Sequence, residues 1–183
     1  MSKKGDYTVS DYIDFDYAVK TFRNLNNTGD VFGLYGLVSI YFGMRVGDVR
    51  KLTFEDLRET HITVKEEKTD KVRKIETARI QDALTYHKGK TGLAFKSQKG
   101  KVFTNQRLNV KLKELFKNEI DKGCNISTHS LRKTFGRQVW KKNNESEASL
   151  ILLSDIFNHS SIGLTRRYLG ITKDEITNIY LNL

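Results

Sequence analysis

The chain contains no proline and only one cysteine in its 183 residues. Without proline, chain reversals must use glycine, asparagine, aspartate and serine, and no proline stops interrupt the helices. The single cysteine, Cys124, cannot form an internal disulfide and has no second cysteine for a zinc or redox pair. We therefore interpret Cys124 as a small buried hydrophobe and expect a mainly helical protein.

Patterns typical of metal and nucleotide sites are also missing. The histidines lie at positions 61, 87, 129 and 159 and lack metal-ligand spacing, acidic residues do not cluster, and there is no Gly-x-x-x-x-Gly-Lys loop. We therefore expect no metal and no cofactor. Any hydrolytic or transfer reaction would then depend on cationic or covalent catalysis by protein side chains.

Long apolar runs are absent as well. No run reaches the roughly 18 residues of a membrane-spanning helix, and no charged segment leads into a signal-peptide core. We expect a soluble, cytoplasmic protein with no membrane contact. What the chain does have is positive charge: 32 lysines and arginines against 22 aspartates and glutamates give a net charge of +10. That balance favours a polyanionic partner, with nucleic acid first among the candidates.

A length of 183 residues suffices for one hydrophobic core and is short for two, so we expect one domain. Hydrophobic periodicity predicts that this domain consists of helices with a small β-hairpin. Helices are predicted at 10–25, 31–42, 46–52, 79–88, 105–120, 128–142, 148–157, 162–169 and 172–181. Strands are predicted at 61–65 and 72–77, and the Gly- and Lys-rich segment 88–101 is expected to be a solvated loop. Thr172 followed by Glu175 fits a capping box that would start the last helix.

The first segment that carries chemistry follows the apolar helix at 31–42 and reads Gly43-Met-Arg45-Val-Gly-Asp48. Asp48 lies three residues after Arg45, so in a helical turn it would hold the guanidinium in place. A fixed, planar guanidinium is well suited to bind phosphate. On its own, however, Arg45 is an ordinary surface arginine.

The second segment, Ser127-Thr-His129-Ser-Leu-Arg132, opens a predicted helix. A spacing of three places His129 and Arg132 about one turn apart on one helix face, so both can reach the same ligand. Taken alone, this pattern is more typical of an exposed helix face with a capping polar residue.

The third segment, Asn158-His159-Ser-Ser-Ile-Gly-Leu-Thr-Arg166-Arg167-Tyr168, places a histidine nine residues before a tyrosine. Tyrosine has an ordinary pKa near 10, so neighbouring cations would have to favour its ionised form if it served as a nucleophile. Arg166 and Arg167 are candidates for that role, and also for contacts with a DNA backbone.

Together the three segments resemble the motifs of the tyrosine recombinase (phage integrase) family: G-x-R-x-x-E/D, then H-x-L-R, then L-G-H-x-x-I followed by R-Y. The resemblance covers nearly the whole chain in the family's order, and it implies that family's catalytic-domain fold. Two positions depart from the pattern, since Phe157 and Asn158 replace the usual leucine and glycine. Asparagine tolerates left-handed backbone conformations, so we expect the turn to survive.

The resemblance implies site-specific DNA cleavage and rejoining through a covalent 3′-phosphotyrosine bond on Tyr168. Arg45 and Arg132 would bind the phosphate, with Asp48 in support, and His129 and His159 would donate hydrogen bonds or assist proton transfer. The family's general acid is a hairpin lysine, here Lys68, with Lys71 as the alternative because hairpin register cannot be read from sequence. The expected DNA-backbone contacts are Arg166, Arg167, Lys71 and Lys133.

The family also implies how the chain is organised and what it meets. We expect a single catalytic domain at 1–183, with a core at about 8–170 and a C-terminal helix at 171–183, and no N-terminal core-binding domain in this chain. The C-terminal helix either packs on its own domain or docks on a neighbouring subunit. The expected partner is double-stranded DNA in the nucleoid, bound by a tetramer of subunits that are monomers when free, with accessory DNA-bending proteins possible.

Two alternatives remain open at this point. A type IB topoisomerase-like enzyme would use similar residues to nick and reseal one duplex without exchanging partners. A catalytically inactive, basic DNA-binding regulator would keep the fold but lack a catalytic side chain, whereas all six positions are filled here.

Overall fold

Helices dominate the computed structural model, which describes residues 10–65, 72–97 and 100–182. In chain order the α-helices are α1 (Phe15–Asn26), α2 (Val31–Phe42), α3 (Val46–Val49), α4 (Phe54–Arg58), α5 (Gln81–Leu84), α6 (Asn105–Leu115), α7 (Lys117–Asp121), α8 (Thr128–Lys142), α9 (Glu147–Phe157), α10 (Ile162–Leu169) and α11 (Ile171–Leu181). Strands β1 (His61–Lys65) and β2 (Val72–Glu76) pair antiparallel, with Ile62 opposite Ile75. A mainly helical fold with a small hairpin is therefore confirmed.

Helix α2 is the centre of the larger hydrophobic core. Its sequence carries no charge, and nearly all of its residues are buried, as expected for a helix that is apolar on every side. Asp30 caps its start by accepting a hydrogen bond from the Phe32 amide, and Gly43 ends it in a left-handed conformation with φ of 58°. Met44 follows this turn and leads directly to Arg45.

Helices α1 and α2 approach so closely that only glycine fits at their contact. A Cβ atom at Gly33 would lie 2.3 Å from the backbone nitrogen of Asn26, and one at Gly36 would lie 2.1 Å from the ring of Phe22. The backbone of one helix therefore packs directly against the other, which fixes α2 and the turn at its end.

A second, smaller core lies beneath the C-terminal helices. It contains Leu150, Leu153, Phe157, Leu169 and Ile171, with partly buried side chains from α8 packed against it. Helix α8 joins the two cores, because Leu131 belongs to the larger one and Phe135 packs on the smaller one. Arg132 therefore lies where the cores meet.

Two predicted helices differ from the observed ones for reasons of side-chain contact. The first helix begins at Phe15 rather than position 10, because Asp14 caps it and residues 10–13 instead bond to α8 and the turn before it. The helix predicted at 105–120 is divided at Phe116, whose backbone leaves the helical region while its ring is buried against Tyr17 and Phe22.

Other local predictions were wrong or only partly right. The final helix begins at Ile171 after a left-handed Gly170, without a side-chain cap, so the Thr172–Glu175 capping box does not form. Segment 88–101 is not a fully solvated loop, since Ala94 and Phe95 are buried. Cys124 is half-buried and packs against the larger core. In the described ranges, no helix has the length and apolar character needed to cross a bilayer.

The α1–α2 contact yields a stability prediction. Gly33→Ala should lower the free energy of unfolding by about 1–3 kcal/mol or more, because the added methyl group meets backbone rather than a movable side chain. Gly163→Ala in α10 is the matched control, since a Cβ there meets nothing closer than 3.9 Å. Chemical denaturation measures both. Equal stability of Gly33→Ala and the wild type would contradict the described packing.

Candidate active site

Five of the six predicted catalytic residues line one cavity of about 580 Å³. They are Arg45, His129, Arg132, His159 and Tyr168, and Asp48 lines the same cavity. They come from the start of α3, the first turns of α8, the turn after α9, and α10. The fold thus brings together side chains that are widely separated in sequence.

The two arginines point at the same main-chain oxygen. Arg45 Nη2 and Arg132 Nη2 each donate a hydrogen bond of 3.1 Å to the carbonyl oxygen of Phe157. Arg132 Nη1 also donates to the carbonyl of Gly43 at 2.8 Å, which ties α8 to the end of α2. The guanidinium groups are therefore fixed close together by backbone acceptors.

Each arginine is placed by a local feature of the sequence. Arg45 is the N-cap residue of α3, and its carbonyl accepts from the amides of Asp48 and Val49, both at 3.0 Å. Arg132 lies in the second turn of α8, a helix that starts with a capping box between Ser127 and Ser130. Both backbones are thus set before any ligand arrives.

The turn after α9 presents the shared carbonyl. Asn158 adopts a left-handed conformation, with φ of 51° and ψ of 52°. The structure thus bears out the expectation that asparagine can stand where the family has glycine. Phe157, the other departure from the family pattern, lies with its ring centroid 4.4 Å from the guanidinium carbon of Arg132, a cation–π contact.

Burial strengthens the electrostatics of this arrangement. Arg132 is only 6% exposed and Asp48 only 5% exposed. A guanidinium remains charged at any physiological pH, and its interactions are stronger when water is excluded. That Asp48 supports Arg45 stays a prediction.

His159 lies beside the candidate nucleophile. Its Nδ1 is 2.9 Å from the hydroxyl of Thr165, and its ring centroid is 5.2 Å from that of Tyr168. Burial, with the nearby charges of Arg132 and Arg45, lowers the pKa of His159 to about 4. The imidazole is therefore neutral at neutral pH. His129 is exposed and lies one turn before Arg132 on α8.

Tyr168 has a buried hydroxyl but a half-buried side chain as a whole. Its ring packs edge-on against Phe157 and His159, at centroid distances of 5.5 and 5.2 Å. The hydroxyl has no hydrogen-bond partner within the described ranges. Burial raises the pKa of Tyr168 to about 12, although Arg132 and Arg45 oppose the shift. The neighbouring cations thus favour the phenolate, as expected, but burial outweighs them, so Tyr168 is protonated in the free protein.

The candidate general acids cannot be placed. Lys68 and Lys71 fall in the stretch 66–71, outside the described residues. The strands on either side are described, and Arg73 of β2 donates a 3.2 Å hydrogen bond to the carbonyl of Ile156, one residue before Phe157. The hairpin is thus tied to the end of α9, next to the cavity.

The predicted DNA contacts have different surroundings. Arg167 is exposed, and Arg166 is half-buried and paired with Glu175. Lys133 is 4% exposed, and its Nζ donates to the carbonyl of Ser10 at 2.6 Å. The prediction that Lys133 contacts DNA is therefore wrong for this structure, because the ammonium is directed inward.

Sequence reasoning missed several parts of the site. The Phe157 carbonyl is central, but a main-chain oxygen leaves no motif. Thr165 binds His159, and a hydroxyl three residues before the tyrosine was the only available signal. Arg50 and Asn105 also line the cavity, joined by a 2.9 Å hydrogen bond.

Comparison with known proteins agrees with this geometry. Residues 34–175 match the model of the phage integrase family. A probable integrase/recombinase, YoeC of Bacillus subtilis (strain 168), is 30% identical over 172 residues, which cover 88% of each chain.

Solved recombinases share the fold. XerH bound to a palindromic difH substrate superposes with a TM-score of 0.62 at 18% identity, covering 98% of this chain and 55% of that one. XerA gives 0.63 at 22% identity, with 93% and 64% covered, and a lambda integrase dimer bound to a COC′ core site gives 0.60 at 14%, with 88% and 48% covered. This chain thus spans about half to two thirds of their length. The chain belongs to the phage integrase family, the tyrosine recombinases.

Proposed function

We propose that this protein is a site-specific DNA recombinase or integrase that cleaves and rejoins strands through a covalent 3′-phosphotyrosine on Tyr168. One observation carries the proposal: two guanidinium groups converge on a single oxygen at a cavity that Tyr168 also lines. That XerH and lambda integrase were solved on DNA supports a DNA substrate for this chain, as does its net charge of +10.

Arg45 and Arg132 are the proposed phosphate clamp. Terminal nitrogens that lie 3.1 Å from one common oxygen are close enough together to bind the two non-bridging oxygens of one phosphate. Attack on a phosphodiester adds negative charge to those oxygens, and preorganised cations in a largely dry site stabilise it. Removing one such donor typically slows the chemical step about 10²- to 10³-fold.

The histidines would complete the clamp. Because Thr165 engages Nδ1 of His159, Nε2 is the nitrogen left to contact the phosphate. His129, exposed one turn from Arg132, can reach the same group from the other side. Whichever of the two does not donate to the phosphate is the candidate to accept the phenol proton as Tyr168 attacks.

The reaction keeps bonds and charges in balance. The phenol oxygen of Tyr168 forms a bond to phosphorus, and the bond from phosphorus to the 5′ oxygen breaks. Lys68, or Lys71 in its place, would protonate the leaving 5′ oxygen to give a 5′-hydroxyl, and one of the two histidines would accept the proton that the phenol loses. The phosphotyrosine retains the bond energy, so a 5′-hydroxyl of a partner duplex can reverse the step without ATP.

The buried phenol adds a condition to this mechanism. A hydroxyl that is buried, has no hydrogen-bond partner among the described residues and has a pKa near 12 is neither accessible nor ionised in the free protein. DNA binding must therefore rearrange the cavity lining or α10 before Tyr168 attacks. A bound phosphate would also supply the hydroxyl with its first hydrogen-bond acceptor.

Tyr168→Phe separates the proposed enzyme from the two alternatives. The variant should fold as stably as wild type, because the hydroxyl makes no hydrogen bond to the part of the chain that the structure describes, and it should bind DNA while forming no adduct. Two assays compare the variants. The first measures plasmid relaxation. The second measures strand exchange between labelled duplexes whose sequence the wild-type protein has selected from a randomised pool. Tyr86→Phe, at an exposed tyrosine, is the control.

Wild type and Tyr86→Phe should relax plasmids and exchange strands, and Tyr168→Phe should do neither. Relaxation without exchange would favour a topoisomerase-like enzyme. Binding by the wild type with no adduct would favour an inactive regulator.

We also propose assembly of four subunits on DNA through α11. This helix is held at its start by buried Ile171 and by the ion pairs Arg166–Glu175 and Arg137–Asp174. Beyond that, its apolar residues are exposed: Ile176 by 51%, Ile179 by 60%, Tyr180 by 76% and Leu181 by 76%. Among the described residues, the stripe of Ile176, Ile179 and Tyr180 is thus not covered by its own domain, which favours docking on a neighbour.

Ile179→Glu should abolish tetramers on DNA while leaving binding of one subunit to a half-site unchanged, because a charge cannot be buried in an apolar interface. Asn178→Glu is the control for added charge, because Asn178 lies about 160° around the helix from Ile176 and therefore on the face opposite the apolar stripe. Sedimentation velocity of free and DNA-bound protein measures both. Full assembly of Ile179→Glu would refute docking through α11.

A further inference from the structure

Lys133 is a buried cation beside the candidate nucleophile. It follows Arg132 on α8, is 4% exposed, and has its Nζ 5.1 Å from the ring centroid of Tyr168. We propose that Lys133 is a positioning residue for Tyr168, an inference that rests on the proposed function. It would act on the rate of strand cleavage and not on DNA affinity.

An ammonium at this position is unfavourable unless its charge is used. Burial lowers the pKa of Lys133, the positive charge of Arg137 adds to that effect, and Asp11 opposes it. An apolar side chain of similar length would avoid this desolvation cost. The charge makes two contacts, with the carbonyl of Ser10 and with the ring of Tyr168, that offset part of this cost.

The first contact fixes where the ammonium lies. Lys133 Nζ donates to the carbonyl of Ser10 at 2.6 Å, and the segment 10–13 is itself bonded to α8 and the turn before it. The bonds are Ser10 Oγ to Ser127 Oγ at 2.6 Å, the Asp11 amide to the Asn125 carbonyl at 2.9 Å, and the Ile13 amide to Thr134 Oγ1 at 2.9 Å. Ser10 is thus a fixed acceptor that aims the lysine at Tyr168.

The second contact bears on the position of the phenol. The ring of Tyr168 is held by Phe157, His159 and Lys133, at 5.5, 5.2 and 5.1 Å. Because the hydroxyl has no hydrogen-bond partner among the described residues, these ring contacts help to determine where its oxygen lies. A misplacement of 1 Å in a reacting group slows catalysis about 100-fold. The cation–π attraction also grows as negative charge develops on the phenol.

Lys133→Gln is the informative variant, because its amide can still donate to the Ser10 carbonyl while the positive charge is lost. We expect the single-turnover rate of cleavage at saturating protein to fall about tenfold. Half-saturation by DNA and its salt dependence should stay at wild-type values, because Lys133 does not reach a phosphate. Lys133→Arg, which keeps a cation, should recover at least part of the rate.

Thr134→Val is the matched control. It removes the hydrogen bonds of the next α8 residue to Ile13. The bonds that hold Ser10 and Asp11 to Ser127 and Asn125 remain, so Lys133 keeps its acceptor and its charge. It should cleave at the wild-type rate, even with a lower melting temperature. The substrate is a pool of nicked duplexes with randomised sequence around the nick, and thermal unfolding is recorded for every variant.

A Lys133→Gln rate equal to or above that of wild type would overturn the proposal, as would a loss of DNA affinity with a weaker salt dependence. An equal loss of rate in Thr134→Val would also overturn it, by assigning the effect to the segment instead. Absence of any adduct with wild-type protein would count against the proposed function itself, which Tyr168→Phe tests separately.

Discussion

The carbonyl of Phe157 is a hydrogen-bond acceptor that both arginines of the site share. Two permanently charged guanidinium groups repel one another, and their hydrogen bonds to this oxygen offset part of that repulsion before DNA is present. The carbonyl is presented by a left-handed residue after α9, Arg45 by the turn after α2, and Arg132 by α8. Each element is anchored in an apolar core, so core packing sets the spacing of the cations.

Burial affects the arginines and the phenol in opposite ways. Arg132 cannot lose its proton, so exclusion of water strengthens its attraction for an incoming phosphate. The phenol of Tyr168 can stay protonated, and burial keeps it so. Under the proposed mechanism, the free protein therefore combines a preformed cationic clamp with an inactive nucleophile. Such a combination ties strand cleavage to the arrival of the substrate.

The sequence predicted those parts of the molecule in which local pattern and tertiary packing agree. The apolar run of α2 and the alternating strands gave the right elements, and the spacing of His129 and Arg132 placed both side chains in the cavity. Where long-range contacts decide, prediction failed. Residues 10–13 bond to α8 instead of extending α1, and Glu175 pairs with Arg166 rather than capping α11. Lys133 carries a charge that sequence alone assigns to the surface, whereas its partner, the carbonyl of Ser10, has no signature in sequence.

Tyr168 is proposed to form a covalent bond to DNA through its phenol oxygen. Mass mapping of the trapped adduct tests this most directly. Wild-type protein would be incubated with nicked duplexes, which lose the short strand end on cleavage, so that the covalent adduct accumulates. The adduct would then be digested and the DNA-linked peptide sequenced. The account predicts one modified residue, Tyr168, and loss of the adduct in Arg132→Lys, where a single ammonium replaces the planar guanidinium. Attachment at exposed Tyr180, or at a serine, would contradict it.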